Sequence, residues 1–151
     1  MILKYKINQT PEMIYDYLSD MTKFVSVHPV ITKMKKKGMN KYRVYETLHL
    51  GFIPLSFTYP ATIYGSREKG HIRMQVRVMN MTEVDMVFDI QEAAGGSVVF
   101  EEIQIKSLLP VKRHMEKLFR DQHYLLFENI NKLNGTPHAG NAGLIRSGVI
   151  G

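Results

Sequence analysis

The sequence predicts one α+β domain in which a curved antiparallel sheet of about seven strands wraps a long C-terminal helix, with two short helices after the first strand. Three observations predict it. Apolar residues alternate with polar ones through most of residues 30–107, the period of half-buried strands. Short turns separate these runs, several of them marked by glycine, which makes consecutive strands antiparallel neighbours. From residue 110 the period becomes that of an amphipathic helix. One helix does not fill the concave face of so wide a sheet, so a cavity between the two is expected.

Each element has its local reason. Ile2–Ile7 reads as the first strand. Thr10-Pro11-Glu12 then supplies an N-cap hydroxyl, a proline at the first helical position and an acid in the first turn. The helix Pro11–Ser19 should bury Met13, Ile14, Tyr17 and Leu18. Residues 22–27 form a second helix that ends near His28, because Pro29 disfavours helical geometry in the residue before it. Tyr42, Val44, Leu48 and Leu50 then share a strand face interrupted by Glu46. Ile53, Leu55, Phe57, Tyr59, Ala61 and Ile63 share the next, where Pro54 and Pro60 each remove a ladder donor and predict an edge or bulged strand. A turn over residues 65–70 leads to Ile72, Met74, Val76 and Val78, and then to Val84, Met86, Phe88 and Ile90. After Gly95-Gly96, residues 98–107 make the last strand. Its inward face is either Val99, Glu101, Ile103 and Ile105 or Phe100, Glu102 and Gln104. Pro110 starts the long helix, whose stripe to Leu133 contains Val111, Met115, Leu118, Phe119, Leu125, Leu126 and Leu133. The domain takes residues 1–134, and residues 135–151, with five glycines, form a tail.

Composition excludes several classes. A chain of 151 residues buries roughly 70% of its unfolded surface and needs no staple to fold. With Cys 0 it has no disulfide, thiolate nucleophile or cysteine zinc site, which suits a reducing compartment. Lys4 and Lys6 follow Met1 too closely for a signal peptide, and no apolar run approaches the roughly 20 residues of a membrane span, so a cytoplasmic location is expected. The formal charge of +6 is concentrated in Lys33, Lys35, Lys36, Lys37, Lys41 and Arg43, and in Lys112, Arg113, His114, Lys117 and Arg120. These read first as a solvated strand edge and a solvated helix face. The alternative is weak contact with phosphates or an anionic membrane surface. Neither group interleaves aromatics, so no nucleic-acid partner is expected.

The segment Thr10-Pro11-Glu12-Met13-Ile14-Tyr15-Asp16-Tyr17-Leu18-Ser19-Asp20, followed by Phe24 and His28-Pro29-Val30-Ile31, resembles the opening of many helix-grip proteins. This is the Bet v 1-like or SRPBCC superfamily, which includes START lipid-transfer domains and polyketide cyclases. The resemblance covers residues 2–133 and is moderately specific for fold. It implies a helix-grip domain that binds an apolar ligand between sheet and helix. For function it is nearly silent, since the superfamily spans carriers, cyclases, hydrolases, chaperone activators and oxygenase subunits.

Gln122 and Asn129 fall within the long helix's apolar stripe, where an amide is either a satisfied core group or faces water or a ligand. Glu46 poses the same choice on the sheet: a cavity carboxylate able to move protons, or one turned outward by a bulge or paired with Arg43. Tyr59 is a cavity hydroxyl or a bonded core tyrosine. Met74, Met86 and Met115 on inward faces suit either an adaptable pocket or an irregular core. His114 and His123, nine residues apart on one helix, fall on opposite faces, and no histidine has metal-ligand spacing. No metal and no cofactor are expected. The leading expectation is carriage of a small apolar or amphipathic ligand, lipid-like or polycyclic. Leu55, Phe57, Met74, Met86, Met115, Phe119 and Leu126 would supply apolar surface, and Glu46, Tyr59, Gln122 and Asn129 would orient polar atoms. The first alternative is a polyketide cyclase or dehydratase-type enzyme using Glu46 or Tyr59. The second is an interaction module for a protein or an anionic lipid surface.

Overall fold

The structure, a computed structural model, describes residues 1–133, so the tail expected over 135–151 lies outside the described residues. The elements are β1 (Ile2–Ile7), α1 (Pro11–Ser19), α2 (Met21–Val27), β2 (Ile31–Gly38), β3 (Lys41–Leu50), β4 (Ile53–Ser66), β5 (His71–Val78), β6 (Thr82–Ala93), β7 (Gly96–Ser107) and α3 (Lys112–Asn131). All seven strands form one antiparallel sheet in the order β1-β7-β6-β5-β4-β3-β2. It curves around α3, the helix-grip arrangement.

Local chemistry sets the boundaries. Thr10 Oγ1 accepts from the Met13 N–H at 3.2 Å and starts α1. Asp20 caps α2 by accepting from the Thr22 and Lys23 N–H groups, which begins that helix at Met21, one residue before the sequence reading. The long helix begins at Lys112 rather than at Pro110. The lysine-rich β2 is an edge strand, where charge opposes edge-to-edge association. The two prolines of β4 both precede Ala61, where pairing with β5 begins, so they lie along a stretch with no strand on that side.

That stretch positions the site. The Thr47 N–H still donates to the Val30 carbonyl at 3.0 Å; beyond it the β3–β4 hairpin pairs only with itself, through Leu48↔Leu55 and His49↔Pro54, and projects past the end of β5 as a flap. The core lies between sheet and helices: Leu3, Ile14, Leu18, Ile72, Phe88, Ile103, Leu126, Phe127 and Ile130 are its fully enclosed large side chains. The inward face of β7 is Val99, Glu101, Ile103 and Ile105, with a carboxylate in the middle of an apolar row.

Candidate functional site

Where α3 leaves the sheet toward the flap, a cavity of about 30 Å³ remains. This is room for a water molecule. Its apolar lining includes Phe24, Met34, Val44, Ala61, Met74, Met86 and Phe119, and its polar lining is Glu46, Tyr59, His28, Gln122 and His123.

Two of these polar groups are paired on the sheet. The Tyr59 hydroxyl donates to Glu46 Oε2 and holds Glu46 on the inward side of β3 without Arg43 as partner; the β3–β4 register is unbroken here, and the irregularity opposite Glu46 is in β2, between Ile31 and Lys33. Burial and the adjacent carboxylate push the Tyr59 phenol well above its ordinary pKa, so it remains a donor. The other three come from the helical layer. His28, at the end of α2, accepts the Val30 and Ile31 N–H groups on Nδ1 at 3.3 and 3.1 Å, which leaves its proton on Nε2. Burial, and then the neighbouring His123, hold its pKa well below the usual 6.5. Gln122 is buried, and its Nε2 has no hydrogen-bond partner.

His123 belongs to a network the sequence reading missed. Glu101, 0% exposed, takes a hydrogen bond from the Tyr5 hydroxyl at 2.9 Å and a second from His123 Nδ1, itself on a residue 3% exposed. A carboxylate withdrawn from water costs several kcal/mol unless donors replace the lost hydration, and here β1 and α3 each contribute one. With Nδ1 committed to Glu101, Nε2 is the remaining ring nitrogen of His123, a cavity-lining residue that stands edge-on to His28 at 6.1 Å between ring centroids. The polar wall therefore combines two imidazoles and an unmet amide. The signal available in sequence was Glu101 alternating with Val99 and Ile103, together with His123 four residues after Phe119 on the helix.

The remaining sequence candidates divide by position. Glu46, Tyr59, Met74, Met86, Phe119 and Gln122 converge on the cavity. Leu126 is instead enclosed in the core, and Met115 packs against that core from the first half of α3. Leu55 and Phe57 lie on the flap, Leu55 exposed and Phe57 half-buried. Asn129 does not line the cavity: its Nδ2 donates to the Val27 carbonyl at 2.8 Å and ties α3 to α2. A larger open groove of about 450 Å³ lies on the opposite face of the sheet. Its charged walls are occupied with one another through Arg73–Asp85 and Arg77–Glu83, so the enclosed cavity is the better candidate. Among the described residues no group of three or more His, Asp or Glu side chains converges as a metal site, and no helix is long and apolar enough to cross a membrane.

This arrangement of a curved antiparallel sheet around a long C-terminal helix is the helix-grip fold. Solved structures similar to this chain agree with that fold. A conserved protein from Geobacillus kaustophilus superposes with TM-score 0.72 at 11% identity, covering 87% of this chain and 92% of that one. Ara h 8.0201 gives 0.65 at 12% identity over 87% and 93%. The di-domain ARO/CYC BexL from the BE-7585A biosynthetic pathway gives 0.68 at 10% identity over 86% of this chain and 45% of that one, so this chain spans about half of it. By sequence, no family model and no curated protein matches.

Proposed function

We propose that the protein binds a small amphipathic ligand between sheet and helix, its polar atoms against Gln122, His28, His123 and the Glu46–Tyr59 pair. The observation that carries this reading is the buried, unpartnered Gln122 Nε2 in a mostly apolar enclosure. An unmet donor costs about 1–3 kcal/mol, and a ligand acceptor would remove that cost on binding. A ligand larger than the 30 Å³ cavity would displace Phe119 or the flexible Met34, Met74 and Met86 and extend toward Leu55 and Phe57 on the flap. A cytoplasmic location belongs to the same proposal, on the ground of the cysteine-free composition.

The test is titration with 1-anilinonaphthalene-8-sulfonate, an apolar probe with an anionic acceptor group. Saturable one-to-one binding that weakens roughly tenfold in Gln122→Met supports the reading. Absence of saturable binding, or indifference to Gln122→Met, refutes it.

A second reading, proton-transfer catalysis of the cyclase or dehydratase type, is favoured by His123. Its bond to Glu101 would fix the ring and leave Nε2 as the nitrogen available for proton transfer. Tyr59 is the weaker acid–base candidate, because its hydroxyl is committed to Glu46.

A further inference from the structure

Three loops lie at the same end of the sheet: the β3–β4 turn, which projects furthest, the β5–β6 turn and the β7–α3 connection. Each exposes large apolar side chains. Phe52 is 94% exposed at the flap tip with Ile53 at 55% beside it, Met79 is 67% exposed, and Leu108 is 86% exposed. The Leu108 N–H donates to the Met81 carbonyl at 3.1 Å, which holds the second and third loops together. Met79 also occupies a left-handed backbone position, φ 52°, in a two-residue turn closed by the Met81 N–H and the Val78 carbonyl. Turn chemistry favours Gly, Asn or Asp there, so a bulky apolar side chain is held at the tip against local preference.

Cations flank the β7–α3 side of this end, where Lys106 also stands opposite Glu83. Lys106, Lys112, Arg113 and Lys117 lie between residues 106 and 117 with Glu116 as the single acid. Lys106, Lys112 and Arg113 are exposed. Apolar tips on separate loops, with cations behind them, do not make the contiguous flat patch that a folded protein partner needs. They fit the soft, negatively charged interface of a bilayer, which accepts apolar side chains between headgroups and attracts nearby lysine and arginine.

We propose that this end of the molecule docks onto an anionic phospholipid surface. Phe52 and Leu108 enter the headgroup layer, and Lys106, Lys112 and Arg113 meet lipid phosphates. Phe52 belongs to the β3–β4 side of the cavity and Leu108 to the α3 side, so a bilayer touching both would lie over the end of the cavity that the flap and α3 border. The inference stands apart from the ligand reading, since vesicle binding and probe binding are separate measurements.

The chain contains no tryptophan, so a single introduced indole is an unambiguous reporter. Full-length Phe52→Trp, Leu108→Trp and Met39→Trp proteins are mixed with vesicles of phosphatidylcholine alone or with about 30 mol% phosphatidylglycerol. Met39 is 85% exposed in the turn at the opposite end, beside the lysines of β2. Expected are co-sedimentation with the anionic vesicles and a blue shift for the indoles at 52 and 108, but not at 39. Phe52→Ser combined with Leu108→Ser, or Lys112→Gln combined with Arg113→Gln, should each lower partitioning roughly tenfold or more. These side chains are exposed, so the variants should remain folded, which thermal melts test. The proposal is overturned by absence of vesicle binding, by a shift confined to position 39, or by partitioning that ignores both double variants. Self-association that Phe52→Ser abolishes, in place of vesicle binding, overturns it in favour of a second copy of the chain.

Discussion

Replacing Gln122 by methionine should leave the free protein as stable as before or more stable. The side chain is buried and its Nε2 has no protein partner. Methionine keeps the length and flexibility of glutamine and removes the amide. The recovered desolvation cost is about 1–3 kcal/mol for one unmet buried donor. A water held in the 30 Å³ cavity would already have recovered part of it, which sets the lower bound near zero. For a chain of this size each kcal/mol moves the melting temperature by about 2–4 °C, so the rise should fall between nothing and roughly 10 °C. Circular dichroism melts and urea titrations measure it, and the urea slope should stay constant. Greater stability with weaker probe binding is the signature of a side chain kept for a ligand. A fall of more than about 2 °C with an unchanged slope would mean that Gln122 is a structural amide and would refute the reasoning.

Asn129→Leu should act in the opposite sense: loss of its bond to the Val27 carbonyl costs about 0.5–1.5 kcal/mol, with probe affinity unchanged, as paired melts and titrations would show. Glu101→Leu strands the Tyr5 hydroxyl and the His123 ring, so urea unfolding should report a loss of about 3–5 kcal/mol, and a loss below about 1 kcal/mol would contradict the network. His28 gives a pH dependence whose sign follows from its lowered folded-state pKa. Above about pH 6.5 the ring is neutral in both states and contributes nothing. As the pH falls below that, the unfolded chain takes up the proton first, and stability drops by about 1.4 kcal/mol per pH unit until the folded pKa is reached. In His28→Asn, which keeps a side-chain acceptor for the Val30 and Ile31 amides, melts between about pH 7 and 5 should lose that component of the slope.

The fold was legible because its signals are local. The Thr10-Pro11-Glu12 start of α1 and the strict alternation of β5 and β6 each depend on neighbours a few residues away. The site was less legible because its determinants are not local. Alternation alone left the inward face of β7 open, since Glu101 is accommodated only by Tyr5, 96 residues distant, and by His123 on α3. The stripe of α3 was misjudged for the same reason. Its buried face contains Gln122 and His123 alongside Leu126, Phe127 and Ile130, whereas Leu125 and Leu133 are exposed. A hydropathy wheel places Gln122 and Asn129 alike, yet one reaches the cavity and the other a backbone carbonyl of α2. His28 gave no sign because its neutral, fixed ring depends on the turn into β2.

The layout of hydrogen bonds also determines which wall can yield to a ligand. The sheet side is stiff: β4 is bonded on both edges from Ala61 to Ile63, and β5 and β6 each lie between two strands. The second half of α3 is equally fixed. Asn131 Oδ1 accepts the Asn8 N–H, Gln9 Nε2 reaches the Ile130 carbonyl, Asn129 holds Val27, and His123 holds Glu101. Every side-chain hydrogen bond between α3 and the rest of the described chain starts at residue 120 or later, beginning with the weak contact of Arg120 to the Met1 sulfur at 3.5 Å. The first two turns have no side-chain cap and are held to the core by Met115 and Phe119. Dispersion and burial are non-directional, so this part of the helix can shift against the sheet without breaking a hydrogen bond. The flap opposite it pairs only with itself beyond Thr47. Both compliant elements border the same end of the cavity, so expansion from 30 Å³ toward the few hundred Å³ of an ordinary ligand site must open there. That is the end where Phe52, Met79 and Leu108 face outward, so the contact that would admit a ligand and the contact that would hold a bilayer involve the same loops.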